Sequence, residues 1–176
     1  MPAFSIRPIA HADPRGVEAL LDAAFGPDRR RRTAYRIRDG MAAVPGLSYA
    51  ALSSEGDLLG SLQSWPVALD WKVPLILVGP VAVTPRLQRG GIGRAMMQRL
   101  VDDADASGAD PLVLIGDPEY YGRFFGFDAL QTGRWHVPGP VDHRRLLARV
   151  PDGMVLPEDG HLGPRRLPLP KAPGAP

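Results

Sequence analysis

Gln88-Arg89-Gly90-Gly91-Ile92-Gly93-Arg94 is the stretch that decides the reading of this chain. An apolar, β-branched run from Leu75 to Val83 precedes it, and a helix-patterned run from Ile92 to about Ala106 follows. In that second run Ile92, Met96, Leu100 and Ala104 form one row and Met97 and Val101 the next, the spacing of an amphipathic helix. Glycines between a strand and a helix expose backbone N–H groups at the helix start. They also remove the Cβ atoms that would hold a ligand away. Such a turn suits a pyrophosphate; a tight turn with no ligand is the plainer reading. Two other phosphate loops fail on detail. A dinucleotide fingerprint would need glycine where Met96 stands, and no Gly-Lys-Ser/Thr follows the glycines.

Outward from this stretch, Leu75 to Val83 is apolar at odd and even positions alike, as a strand covered by helices on both faces should be. Pro80 lies inside it and cannot donate a ladder hydrogen bond. A bulge or a local parting of strands resolves that conflict; a kink at a sheet edge is the plainer alternative. Upstream, Phe4 to Ile9 reads as a strand at the edge or next to it, and Asp13-Pro14 as a helix cap followed by proline at the first helical position. Val17, Leu20, Leu21, Ala24 and Phe25 give that helix an apolar face, and Gly26-Pro27 ends it. Arg29 to Asp39 is a second, more polar helix, ended by Gly40, with Arg29 to Arg32 as a solvated face. Leu47 to Ser53 and Leu58 to Val67 are strands about a turn at Glu55-Gly56-Asp57.

Downstream, Gly108 stops the long helix, Leu112 to Ile115 is a short buried strand, and Asp117-Pro118 opens a short helix through Phe124 or Phe125. Phe127 to Leu130 and Arg134 to Val137 are expected to form a hairpin, and Arg144 to Val150 one or two helical turns. Proline and glycine dominate from Pro151. The expected organisation is therefore a domain over residues 1–150 and an extension over 151–176, with Pro164 to Pro176 mobile or docked only loosely.

Composition narrows the function. The chain has 176 residues, 44% of them hydrophobic, enough for one α/β domain with a core. A net charge of +2 gives no compositional support for nucleic-acid binding. The absence of cysteine excludes disulfides, thiolate metal sites and a cysteine nucleophile. No apolar run reaches the ~18 residues of a membrane span, and the first residues lack the apolar core of a signal peptide. A cytoplasmic protein is expected, without membrane or nucleic-acid partners; a homodimer stays open. His11, His143 and His161 show no metal or triad pattern, so no metal is expected.

The order Gln88-x-x-Gly91-x-Gly93 resembles the acyl-CoA-binding motif of the GCN5-related N-acetyltransferase (GNAT) superfamily. A second segment, Gly116-Asp117-Pro118-Glu119-Tyr120-Tyr121-Gly122-Arg123-Phe124-Phe125-Gly126-Phe127, is also similar, above all to a bacterial branch of predicted acetyltransferases. The resemblance covers roughly residues 3 to 130. It implies a single α/β domain whose central mixed, mostly antiparallel sheet is flanked by helices, with an acyl-CoA cleft between splayed strands.

It also implies acetyl-CoA as co-substrate and direct transfer of the acetyl group to a primary amine. Another acyl group, a hydroxyl acceptor, or a CoA-binding regulatory module without turnover are the alternatives. By resemblance, the backbone of Val81, Ala82 and Val83 would face pantetheine and the acyl carbonyl. Gln88, Arg89, Gly90, Gly91, Ile92, Gly93 and Arg94 would hold the pyrophosphate. Arg89 and Arg94 read equally as solvated surface residues. Tyr121, with Tyr120 in reserve, would stand beside the thioester sulfur; each is also a reasonable structural tyrosine. The common spacing puts this tyrosine four residues before the glycine of Gly126-Phe127, which here is Gly122, because Phe124-Phe125 lengthens the segment by one. Asp117, Glu119 and His136 are candidate bases, each with a plain structural reading as well. Trp65, Trp71 and Trp135 are candidates for an acceptor pocket or for the core.

Overall fold

The computed structural model describes residues 3–166. The chain runs β1 (Phe4–Pro8), α1 (Pro14–Phe25), α2 (Thr33–Ile37), β2 (Tyr49–Ser53), β3 (Leu58–Leu69), β4 (Val73–Val83), α3 (Ile92–Ser107), β5 (Leu112–Ile115), α4 (Pro118–Phe125), β6 (Arg134–His136), β7 (Leu146–Arg149) and β8 (Asp159–Pro164). The sheet order is β1-β2-β3-β4-β5-β7, with β8 paired to β3 and β6. Only β4–β5 and β6–β8 are parallel among these pairs, so the sheet is mixed and mostly antiparallel as expected.

Side-chain alternation in β4 builds both cores at once. Ile76 and Val78 join the core under α3, whereas Leu75 and Leu77 join the one on the opposite face. All six residues of the predicted rows on α3 are buried against the first core. Val17, Leu20 and Leu21 of α1 meet Ala82 on the other side. Ala82 faces α1 although Ile76 and Val78, also even-numbered, face α3. A bulge explains the switch. A two-residue step on β3, from Leu62 to Ser64, faces a three-residue step on β4, from Val81 to Val78, so the extra residue at Gly79-Pro80 inverts the alternation. Beyond it Val81 and Val83 pack under α3.

Five expectations are corrected. The polar helix over Arg29 to Asp39 is broken: a 3-10 turn, Arg29–Arg31, precedes α2. Arg29 is not solvated but 2% exposed, held by Glu18 and Asp22 of α1 and by the Tyr35 hydroxyl, which accepts from Nη1 at 2.6 Å. No hairpin joins Phe127–Leu130 to Arg134–Val137. Instead Asp128 bridges Ala148, and β6 pairs in parallel with β8. Buried Trp135 fixes that arrangement by donating its indole N–H to the Pro157 carbonyl at 2.8 Å.

Leu146 to Arg149 is strand rather than helix, because Leu146, Leu147 and Ala148 all fill buried positions beside β5. Finally, the stretch after Pro151 adds β8 to the end of β3, where β2 no longer covers it. Leu156 and Leu162 are buried in the second core. Arg165 reaches the Val67 and Leu75 carbonyls and pairs with Asp110 at 2.9 Å, so Pro164 to Arg166 are docked. The rest of the stretch expected to be loose, residues 167–176, lies outside the described residues.

Candidate active site

β4 and β5 pair only at Ile76–Leu112 and Leu77–Val113. β4 runs on to Val83 while β5 ends at Ile115, so one edge of β4 from Val78 onward has no strand partner. Two clefts open along this edge, of about 640 Å³ and about 450 Å³. Both are lined by Phe25 and Val81, so they meet at the same point of β4.

The smaller cleft gathers Val81, Ala82 and Val83 with Gln88, Arg89, Gly91, Ile92, Gly93 and Arg94. Gly90, predicted with them, is not on the wall; its N–H is used in a turn, donating to the Leu87 carbonyl at 3.1 Å. Gly91 caps α3 with φ +84° and offers no capping side chain, while Arg89 has φ +67°. The first helical hydrogen bond is Ala95 N–H to the Gly91 carbonyl at 2.9 Å. The N–H groups of Ile92, Gly93 and Arg94 therefore have no partner within the helix. Ile92 buries its side chain and contributes only backbone. α3 approaches β3 closely at Gly60, where a Cβ would come within 3.0 Å of Ile92 Cγ2 and Met96 Cε. Arg89 and Arg94 are both exposed, and Arg94 lies over the Phe124 ring, 4.1 Å from its centroid.

α4 starts on Asp117, whose carboxylate accepts from the Glu119 N–H, with Pro118 in the first turn. Neighbouring residues on a helix point about 100° apart. Tyr121 accordingly lines the larger cleft and Tyr120 the smaller. The Tyr121 ring lies across Gly116 at the end of β5, and a Cβ there would overlap it. Burial raises the pKa of both phenols above the ordinary tyrosine value, and Tyr121 is pushed further by Tyr120. The extra phenylalanine of this segment is accommodated by division: Phe125 enters the core while Phe124 stays on the cleft wall.

A family model described as "Acetyltransferase (GNAT) family" matches residues 15–127 of this chain. The chain belongs to the GNAT family. A relative, "Uncharacterized N-acetyltransferase YhbS" of Escherichia coli strain K12, is 27% identical over 117 residues, 66% of this chain and 68% of the relative. The crystal structure of the GNAT family N-acetyltransferase YhbS from Escherichia coli in complex with CoA superposes with TM-score 0.65 and 26% identity, covering 84% of this chain and 82% of that one. A GNAT family acetyltransferase from Brucella melitensis, solved in complex with acetyl-CoA, has TM-score 0.60 and 24% identity over 91% and 94% of the two chains, a likeness of fold.

The larger cleft of this GNAT domain holds residues that sequence reasoning missed. Arg38 and Arg145 line it, with Tyr35 beside Arg38. The Arg38 guanidinium carbon is 4.1 Å from the Tyr35 ring centroid and 3.6 Å from that of Trp65. The i, i+3 spacing of Tyr35 and Arg38 was a legible hint; the contact with Trp65 was not. Trp65 is buried and donates its indole N–H to the Gly79 carbonyl at 2.7 Å, Trp135 is core, and Trp71 is 72% exposed on the β3–β4 turn. Of the candidate bases, Asp117 is on the cleft wall. Glu119 lines neither cleft, and neither does His136, which stacks on His161 with ring centroids 4.9 Å apart. Among the described residues no group of three or more His, Cys, Asp or Glu is placed to hold a metal, and no helix is long and apolar enough to cross a membrane.

Proposed function

We propose that this GNAT protein transfers the acetyl group of acetyl-CoA directly to an amine. The observation that carries the reading is the unpartnered edge of β4, which joins a backbone-lined cleft at the start of α3 to the cleft holding Tyr121. Ile92, Gly93 and Arg94 would donate their N–H groups to the pyrophosphate. The helix dipole alone contributes only about 0.3–1 kcal/mol at such a terminus, so charge-assisted N–H bonds, helped by Gln88, Arg89 and Arg94, must supply most of the grip. Val81, Ala82 and Val83 would pair with the pantetheine amides as a missing strand would. The meeting of the clefts at Val81 would then seat the thioester.

The amine nitrogen attacks the carbonyl carbon, the C–S bond breaks and sulfur keeps its electron pair. Backbone N–H groups of the β4 edge would stabilise the developing oxyanion, and holding both reactants in place supplies much of the rate. A lysine-like amine has a pKa of about 10.4, so the nitrogen must lose its proton to solvent or to a base before or during attack. Tyr121 would meet the departing thiolate. A thiol titrates near 8.5 and a phenol near 10, so full proton transfer is uphill by about 2 kcal/mol even before burial. The raised pKa of Tyr121 makes it a hydrogen-bond donor to sulfur rather than a full acid.

Calorimetry with acetyl-CoA and no added metal, followed by thiol release across a panel of amines, tests the proposal. Binding with turnover of at least one amine is expected. No binding at high concentration overturns it, and binding without thiol release across a broad panel would favour a CoA-binding module. Turnover of another acyl-CoA or a hydroxyl acceptor would redirect the substrate and leave the site.

A further inference from the structure

The larger cleft has a strong charge bias. Five arginines line it, Arg29, Arg31, Arg32, Arg38 and Arg145, against two aspartates, Asp117 and Asp142. Arg29 is neutralised by Glu18 and Asp22. Both aspartates are engaged, Asp117 as the cap of α4 and Asp142 with the side chain and N–H of Arg144. Among the described residues Arg31, Arg32, Arg38 and Arg145 form no ion pair.

Arg38 differs from the exposed Arg31 and Arg32. It is half-buried over the faces of Tyr35 and Trp65. Aromatic faces hold a cation in place but do not use up the in-plane N–H donors of a guanidinium. Trp65 is itself tied to the Gly79 carbonyl, so a single indole ring links Arg38 to the bulge of β4. A guanidinium held on two ring faces in the cleft wall and without an ion-pair partner is a receptor for a planar or tetrahedral oxyanion.

We infer that the acceptor is an amine that also carries an oxyanion, a carboxylate or a phosphate, and that Arg38 anchors this group in the larger cleft. The inference rests on the reading that acetyl-CoA occupies the smaller cleft and the acceptor the larger. It excludes polycationic acceptors, which four unpaired arginines would repel. Arg38 is a specificity residue here; it touches the acceptor's anion, not the reacting atoms.

Matched pairs of amines test it. α-Amino acids are compared with their carboxamides, and O-phosphoethanolamine with ethanolamine, by thiol release at saturating acetyl-CoA. The carboxamides have the less basic amine, so intrinsic reactivity runs against the expected result. The anionic member of at least one class should win by roughly tenfold or more in kcat/KM, the size of a charge-assisted hydrogen bond. The class that wins identifies the oxyanion. Arg38→Gln should erase the preference and leave the Kd for acetyl-CoA unchanged, and Arg38→Lys should keep part of it.

A second readout needs no turnover. N-acetyl amino acids, but not their amides, should quench tryptophan fluorescence through Trp65 in the parent and not in Arg38→Gln. Melting curves check that the variants fold, and the parental comparison of acids with amides depends on no variant. Neutral members that react and bind as well as the anionic ones overturn the inference, as does a preference that survives Arg38→Gln. Failure of the underlying reading shows separately, as the absence of acetyl-CoA binding in calorimetry.

Discussion

The two clefts that meet at Val81 are built in opposite ways. The smaller one comes largely from one continuous segment, Val81 to Arg94, and offers mostly backbone. The larger one is assembled from four separate stretches, residues 25–38, 77–81, 114–121 and 140–145, and offers side chains. A ligand shared by a whole family can be held by N–H groups at a helix start, which demands only glycines and a strand before them. A particular acceptor must be held by particular side chains, and these can come from anywhere that the fold brings near. The first cleft therefore leaves a local signature and the second does not.

Gly93→Asp should break the comparison most sharply. Gly93 has ordinary helical backbone, and a Cβ there would sit in normal contact, 3.6 Å from Val83 Cγ2 and 3.8 Å from Val81 Cγ1. Replacing glycine inside the first turn should hold or raise the melting temperature. A carboxylate near a pyrophosphate charge at an effective dielectric of 20 costs about 4 kcal/mol, so acetyl-CoA affinity should fall roughly a thousandfold. Unchanged affinity in calorimetry would show that the small cleft holds something else. Gly91 is the poorer probe, because φ +84° strains any side chain placed there.

Tyr121→Phe addresses the junction from the other side. Loss of a hydrogen bond to a developing thiolate should slow kcat by roughly tenfold to a hundredfold, with little change in acetyl-CoA Kd because the charge grows only in the transition state. Tyr120→Phe should do less, since Tyr120 faces the smaller cleft. Parental turnover in Tyr121→Phe, Tyr120→Phe and the double variant would remove both tyrosines from the chemistry.

Arg165→Ala tests whether the late strand supports the fold without serving the cofactor. It removes the pair with Asp110 and the bonds to the Val67 and Leu75 carbonyls. A loss of about 1–3 kcal/mol is expected, seen as a drop of roughly 2–12 °C in Tm, with acetyl-CoA affinity retained. A shifted Kd would tie β8 to the cleft after all.

The smallest effect is electrostatic. Arg149 donates to both carboxylate oxygens of Asp105, at 2.7 and 2.9 Å, and this holds the carboxyl below its ordinary pKa. A depressed folded value means that the stabilisation is present above the unfolded pKa of about 3.9 and fades as the pH falls through the folded one. Asp105 is mostly exposed, so Asp105→Asn should cost no more than about 1 kcal/mol at pH 7. The Tm gap between variant and parent should begin to narrow below about pH 4 and close only as the pH falls past the lower, folded value. A gap that stays constant as the pH falls well below about 4 would point to a cause other than charge.

Local patterns were legible wherever neighbours in sequence settle the outcome. The six buried positions of α3, the Asp13 and Asp117 caps, and Leu112–Ile115 all follow from period or capping chemistry alone. Pro80 announced the bulge that switches the faces of β4. The errors share one origin. Arg29 looked solvated because four arginines in a row usually are, yet Glu18 and Asp22, one helical turn apart on α1, offered it a partner. Leu146–Arg149 looked helical and Pro151 onward looked unanchored, because neither segment shows the open side of β5 or the uncovered end of β3 that receives it.

The sequence by itself determined the family, the alternation of helices and strands, and the glycine-lined start of α3, because each rests on spacing within a dozen residues. A parting of strands near Pro80 was expected, but tertiary structure alone decided that β4 and β5 part after Leu77 and that Tyr121 and Tyr120 enter different clefts. It also decided that Arg38 is carried over Trp65 from 27 positions away in the chain. These outcomes depend on how separate segments meet in a shared core, a non-local balance of burial and pairing that no short window of residues contains.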